Sequence, residues 1–379
     1  MTDALAAYRL DISEGLQRTE RQHLLRRLLP GTGVDFTSND YLGLARDRDF
    51  AAQVADRLSA YPTGATASRL LRGHHRWHAD TEACLALWCG APAALLFSSG
   101  YALNAGLYAA LVGAGDLLLS DQLNHASIID GMRLSRAETS IFAHQDLDEL
   151  ERRLSQRPAG QRALVVTEAL FSMDGDLTDL GAMVDICERQ GALLVVDEAH
   201  STGIWPGGRV ACLGLRDRVL GTVHTGGKAL GGQGAWFAAD QWLIDHLVNH
   251  CRSFVFSTGV SAAQCVVMQS AVDWVDTQPW RRQALERNIA HFLRRADELS
   301  LPLSLGAASA IMPVVVGDDD RALRVAAQIQ AHGYDVRAVR PPTVAPGTSR
   351  LRITLHATHT KAHIEGLVSA LDKALTQEE

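Results

Sequence analysis

An alternation that begins at residue 93 constrains the fold more than any other feature of the chain. Residues 93–97, 117–119, 140–142, 163–167 and 192–196 are short, largely apolar runs. Between them, residues 102–112, 127–136, 147–154 and 180–190 carry apolar side chains at helical spacing. A continuous apolar strand is buried on both faces, and a helix between two such strands is the crossover that parallel pairing requires. The expectation is an α/β architecture: a mostly parallel central sheet with helices on both faces. Residues 219–223 and 235–238 read as two further strands.

The flanks read differently. Residues 1–29 read as a helix stopped by Pro30-Gly31, residues 36–44 as a short strand and turn, and residues 49–60 as a helix. Residues 61–78 hold Pro62, Gly64, Gly73 and three histidines with little periodicity, which predicts an irregular ordered loop; a helix over 78–88 follows. Beyond the alternation, 242–250, 262–275 and 280–299 read as helices. Strands at 311–316, 335–339 and 351–355 with helices at 321–332 and 361–375 then form a compact α+β unit. With 379 residues, more than one small core holds, the predicted division is an N-terminal segment 1–45, a large domain 46–285 and a small C-terminal domain 286–379.

A net charge of -7 with no basic block gives no reason to expect nucleic acid or an anionic membrane as partner. The first ten residues include Asp3 and lack a long apolar run, which does not read as a signal peptide, and no stretch reaches the roughly 20 apolar residues of a membrane span. Six cysteines are scattered without a Cys-x-x-Cys pair, as expected for free thiols in a reducing cytoplasm.

In open α/β sheets ligands bind beyond the carboxyl ends of the strands, so the residues that follow each strand are the candidates. After 93–97 comes Ser98-Ser99-Gly100-Tyr101, a small-residue turn opening a helix, where free N–H groups can take a phosphate. After 117–119 comes His125, placed to stack on a ring, to act as an acid–base group, or to belong to a helix cap. After 163–167 come Ser172, Asp174 and Asp176; the two aspartates hint at a metal loop, but no further ligand spacing follows and no metal is expected. Asp197 closes an apolar strand, where a buried carboxylate needs a cationic partner such as a protonated pyridine nitrogen, with His200 three residues on to bond a ring oxygen. Lys228 stands among Gly226, Gly227, Gly231, Gly232 and Gly234, three residues after Thr225; a desolvated lysine in such a turn can become a Schiff-base nucleophile. Together these parts meet the requirements of pyridoxal 5′-phosphate.

Asn39-Asp40-Tyr41-Leu42-Gly43-Leu44, Thr167-Glu168, Phe171 to Asp176, Asp197-Glu198-Ala199-His200 and Thr225 to Lys228 resemble the α-oxoamine synthases over nearly the whole chain. These are fold-type I, aspartate-aminotransferase-like pyridoxal-phosphate enzymes that join an amino acid to an acyl thioester with loss of carbon dioxide. Arg340-Pro341-Pro342-Thr343-Val344 and the stretch to Arg352 are most similar to the branch that takes L-alanine and a pimeloyl thioester, on coenzyme A or a carrier protein, in biotin biosynthesis. The resemblance implies Lys228 as the cofactor lysine and base, Asp197 on the pyridine nitrogen, His200 on the ring oxygen and His125 on the ring face. It implies Gly100, Tyr101, Ser172 and Thr225 as further cofactor contacts. Arg352 would hold the amino-acid carboxylate, with Asn39, Thr343 and Arg26, or in its place Arg27, near substrate. It also implies a homodimer with the site at the interface, where Thr258 would reach the partner's phosphate or else simply cap the following helix. The chain departs from the family at Gly226, where an aromatic is usual, and in the basic stretch from Leu71 to His78, which reads as a solvated loop or, as the alternative, as the lining of a thioester entrance. A sister reaction of glycine with another acyl-CoA, an aminotransferase and a non-catalytic protein on this fold are the alternatives.

Overall fold

The computed structural model describes residues 2–21, 24–304 and 309–378. Its strands, in chain order, are β1 (Val34–Asp35), β2 (Ala93–Phe97), β3 (Leu117–Asp121), β4 (Glu138–Phe142), β5 (Ala163–Glu168), β6 (Leu193–Asp197), β7 (Gly221–Thr225), β8 (Ala235–Ala239), β9 (Ile311–Gly317), β10 (Tyr334–Asp335), β11 (Ala338–Val339) and β12 (Ser349–Thr354). The central sheet has the order β2-β8-β7-β6-β5-β3-β4, and β8 alone runs antiparallel to the rest.

Side chains of a strand alternate between faces, and β5 shows how that builds two cores. Leu164 and Val166 pack with Leu118, Val195 and Val223 against Leu103, Leu107 and Tyr108 of the helix Gly100–Leu111. Ala163 and Val165 face the other way, onto Met183 and Val184 of the helix Leu180–Arg189 and Leu150 of the helix Leu147–Ser155. A third core starts under Leu96 and Trp236, takes in the helices Arg76–Trp88, Ala262–Thr277 and Trp280–Glu298, and runs into Ile311, Leu351, Ile353 and the helix Lys361–Gln377. That shared core locks the small antiparallel sheet β11-β12-β9 against the large one.

The alternation from residue 93 is present as read, with ends shifted by a few residues. The flanks differ. The N-terminal helix spans Thr2–Arg21 and not 1–29; Met1, Gln22 and His23 lie outside the described residues. Past Leu24, whose N–H closes onto Thr19 O at 3.0 Å, the chain runs without regular structure and brings Val34 alongside Tyr334. The strand expected from Phe36 is instead the two-residue β1. Asp35 takes the N–H groups of Thr37 and Ser38, and Asp40 those of Leu44 and Ala45, so side chains compete with any ladder there. The strand expected at 335–339 is split between β10 and β11, which belong to different sheets.

Candidate active site

Because six strands of the central sheet share a direction, their carboxyl ends share an edge. Lys228 follows β7 by three residues in a turn closed by backbone bonds: Gly226 N to Gly234 O (2.9 Å), Gly231 N to Lys228 O (2.9 Å) and Gly232 N to Gly226 O (2.8 Å). Thr225 Oγ1 donates to Gly234 O at 3.0 Å and accepts from Gly227 N at 3.1 Å. The turn is fixed, and its glycines serve packing more than ligand approach. Gly231 has φ +64° and a Cβ there would lie 2.6 Å from Ala45 N, while one on Gly232 would lie 2.5 Å from Val267 Cγ1. Gly227 is the member with room around it.

Lys228 lines a cavity of about 180 Å³ with Gly100, Tyr101, Asn104, His125, Ser127, Glu168, Asp197, Ala199, His200, Val223 and Thr225. Seven of the residues singled out from sequence therefore meet in one hollow. Asp197 is buried at the end of β6; its Oδ2 accepts from Asn104 Nδ2 at 2.8 Å and its Oδ1 from Ala199 N at 2.9 Å. Asn104 Nδ2 also donates to Ser127 Oγ at 3.0 Å. His125 caps the helix Ala126–Leu134: its Nδ1 accepts from Ser127 N (3.2 Å) and lies 2.8 Å from Ser127 Oγ. With Nδ1 so occupied, the His125 proton belongs on Nε2. Capping and a place in the cavity are thus both properties of His125. Its backbone N–H is held by Glu168 Oε1 at 2.6 Å, and Glu168 sits directly beside Asp197 in the β5–β6 register.

These buried groups perturb one another. Burial pulls the Lys228 amine below the ordinary lysine pKa, against the raising effect of the Asp197 and Glu168 charges. Burial, and then the Asp197 charge, raises the Glu168 carboxyl. His200 is pushed well down by burial and by the charges of Lys228, Arg352 and His125. Asn104 and Ser127 were not singled out from the sequence, and Glu168 stood there only as part of a motif. Asn104 carried a signal: it is a polar residue one turn after Gly100 on an otherwise apolar helix.

A second chain of contacts leads from His200 to the small sheet. His200 Nδ1 lies 2.6 Å from Tyr41 Oη, Tyr41 Oη lies 3.2 Å from Asn39 Oδ1, and Arg352 donates to the same Asn39 oxygen at 3.0 Å. Arg352, on β12, is also held by Ser172 O (2.5 Å) and Thr354 Oγ1 (3.1 Å). Ser172 is thus placed by its carbonyl at Arg352 and outside the residues lining the cavity. Arg26 donates to Thr343 Oγ1 at 3.3 Å across 317 positions, whereas Arg27 turns to Glu20 at 3.2 Å.

Other expectations resolve differently. Thr258 forms a bridge with Ser68 and lines a small hollow beside Ser98, not the Lys228 cavity; the following helix is capped by Ser261. Asp174 pairs with Arg350, and Asp176 with His144, so both carboxylates of the suspected metal loop are engaged by cations. The stretch from Leu71 to His78 is not simply solvated. His78 is fully buried, 2.8 Å from Val260 O, and Gly73 is pressed against Ala67 O.

The donor set fits pyridoxal phosphate. Asp197 is a buried carboxylate held by neutral donors, which suits a ring cation. Gly100 and Tyr101 precede the hydrogen-bonded ladder of their helix, and a Cβ on Gly100 would meet nothing within 4 Å, which suits a phosphate.

A model of the family described as aminotransferase class I and II matches residues 32–371. A protein of Anaeromyxobacter dehalogenans (strain 2CP-1), described as 8-amino-7-oxononanoate synthase, is 45% identical over 345 residues, covering 90% of this chain and 86% of its own. The serine palmitoyltransferase of Sphingomonas wittichii superposes with a TM-score of 0.87 at 28% identity, covering 91% and 88% of the two chains. The 8-amino-7-oxononanoate synthase of Francisella tularensis superposes with a TM-score of 0.79 at 26% identity, covering 91% and 98%. With the fold and the lysine cavity already in view, these likenesses settle the family: the chain is a fold-type I pyridoxal-phosphate transferase of the class I and II aminotransferase family and belongs with the 8-amino-7-oxononanoate synthases.

Proposed function

We propose that the chain condenses L-alanine with a pimeloyl thioester, releasing carbon dioxide and the free thiol, and so forms 8-amino-7-oxononanoate for biotin biosynthesis. One observation carries this reading: Lys228, with its depressed pKa, shares a cavity with Asp197, His125 and His200 in a chain of this family. Pyridoxal 5′-phosphate, when bound, supplies an electron sink for the charge left on the amino-acid Cα.

The chain's own residues divide the remaining work. Lys228 would hold the cofactor and, with its amine free, would be the base for the alanine Cα proton; burial keeps that amine ready to lose a proton. With the cofactor bound, Asp197 would keep a proton on its pyridine nitrogen, His200 would donate to its ring oxygen, and His125 would face its ring and offer Nε2–H to the incoming carbonyl. Gly100, Tyr101 and Thr225 would take the cofactor's phosphate, Thr258 would reach it from a second subunit, and Ser172, which this chain places at Arg352, would complete the cofactor contacts. Arg352 presents a planar fork to the alanine carboxylate. Asn39, Thr343 and Arg26 attend the acyl substrate; the Arg26–Thr343 contact supports pairing these two.

A homodimer belongs to this reading. The helix Thr2–Arg21 leaves Leu5, Tyr8, Ile12 and Leu16 exposed on one face, and an amphipathic helix gains its stability by burying such a face. Leu71, Tyr101 and Phe256 are exposed as well, and Tyr101 lines the cavity itself. The division of the chain at 45 and 285, and a cytoplasmic location, are part of the same proposal; among the described residues no helix is long and apolar enough to cross a membrane.

The likeness to serine palmitoyltransferase favours one second reading, the same chemistry on a different amino acid or thioester. A substrate panel separates the two. L-alanine, glycine and L-serine are each offered with pimeloyl, acetyl, succinyl and palmitoyl thioesters, on coenzyme A and on carrier protein, and products are weighed by mass spectrometry. Condensation of alanine with pimeloyl thioester is the expected result; a glycine or serine product in its place selects the sister reaction.

A further inference from the structure

The His200–Tyr41 contact does more than fill space. Tyr41 has no exposed surface, and its hydroxyl oxygen lies 2.6 Å from His200 Nδ1 and 3.2 Å from Asn39 Oδ1. The phenol has one proton to donate, and His200 Nδ1 either accepts it or, in the other tautomer, donates to the phenol oxygen. Asn39 Oδ1 already receives Arg352 at 3.0 Å, and its 3.2 Å contact is long for an O–H donor, which assigns the Tyr41 proton to the shorter contact with His200. His200 is neutral, since burial first, and then the charges of Lys228 and Arg352, disfavour its protonated form. A neutral imidazole that accepts at Nδ1 carries its proton on Nε2, the nitrogen left for the cavity. Burial likewise pushes the Tyr41 phenol up to about 12, so it stays a donor.

We infer that Tyr41 is a positioning residue: its phenol fixes His200 with the proton on Nε2, facing the cavity, and through Asn39 ties that arrangement to Arg352. The inference rests on assigning the cavity to the cofactor. Two consequences follow. The ring oxygen always meets a donor at His200, never an acceptor. And the amino-acid carboxylate site senses the state of His200, because drawing Arg352 away from Asn39 frees that oxygen to compete for the Tyr41 proton.

Tyr41→Phe tests this with the packing retained, since only the hydroxyl is lost. Three readouts are taken on wild type and variant. Nitrogen-15 NMR of the cofactor-free protein reads the His200 tautomer: a single Nε2–H form is expected in wild type and a mixture in Tyr41→Phe. The pH midpoint of the bound cofactor's visible band is expected to move by about one unit, the size of losing one hydrogen bond to a charged form. The KM for L-alanine is expected to rise several-fold while that for the thioester holds. A purely structural role would lower the melting temperature and leave tautomer, midpoint and KM ratio untouched, and that result overturns the proposal. If Tyr41→Phe fails to fold, 3-fluorotyrosine in place of Tyr41 keeps the contact but makes the phenol a stronger donor; the midpoint must then still move, and a fixed midpoint overturns the proposal. A wild-type protein that takes up no pyridoxal phosphate would instead refute the assignment of the cavity, which separates the two failures.

Discussion

Two hollows lie at opposite ends of the same strands. The larger, about 580 Å³, sits at the amino ends of β3 to β7 and is lined by Ala109 to Gly113, Leu134, Arg136, Arg162, Leu193, Leu220, Trp242, Leu243 and His246. The smaller, about 180 Å³, sits at the carboxyl ends around Lys228. In the larger hollow Arg162 is already paired with Asp116 at 2.5 Å, and His246 Nε2 is 2.8 Å from Ala110 O. In the smaller one burial and neighbouring charges shift the pKa values of Lys228, Glu168, His125 and His200. Lys228 also borders a cleft of about 710 Å³ with Asn39, Gly227 and His356, so large hollows occur at both ends and size alone does not mark the chemistry; strand direction does. Parallel strands deliver helix starts with free N–H groups, and strand-end polar residues, to one edge only.

The sharpest way to break this contrast is Lys228→Ala. Turnover is expected to fall by at least about a thousandfold, as for loss of both an anchoring nucleophile and a base, measured as product by mass. Comparable rates would remove the smaller hollow from the reaction. Arg352→Lys keeps the charge and loses the fork; kcat/KM for the amino acid is expected to fall about 30-fold, with the thioester KM unchanged.

His144 supports the floor of the same edge. Its Nδ1 is 2.8 Å from Asp121 Oδ1 and its Nε2 2.7 Å from Asp176 Oδ2. Burial opposes its charge, but those two carboxylates outweigh burial and raise its pKa from 6.5 to about 10. A raised folded-state pKa stabilises the fold fully below the unfolded value, and that gain is lost as pH rises through the folded value. His144→Asn is expected to cost about 2 kcal/mol near pH 6 and much less above pH 10, read from denaturant unfolding of both proteins across that range. A penalty that does not vary with pH would contradict a charged His144. The smallest effect is predicted at the opposite hollow. Trp242→Ala, at a side chain 62% exposed, is expected to leave turnover unchanged and stability within about 0.5 kcal/mol. A loss of turnover there would undo the contrast between the two ends.

Much of the strand-end edge was legible because each part is local. Apolar runs marked the strands, and the residue after each run was the candidate, which is how Lys228, Asp197, His200 and His125 came together. What was not legible depends on long-range geometry. Glu168 read as part of a motif without a role, because its partner, the His125 N–H, is 43 positions away in sequence. Tyr41 likewise needs His200, 159 positions on. What holds two glycines in the lysine turn was not legible either: Gly231 and Gly232 answer to Ala45 and Val267, which no local pattern connects. The helix over-extended to residue 29 failed for a related reason: leucines at helical spacing stay exposed when the chain must leave to pair β1 with β10.

The central claim is that the Lys228 amine removes the Cα proton of the amino acid. Incubating the cofactor-loaded protein with L-alanine alone in deuterated water, and following the alanine Cα–H signal by NMR, tests it without any thioester. The account predicts that the signal decays in wild type and persists in Lys228→Ala. Persistence in wild type, or equal decay in both proteins, would contradict it.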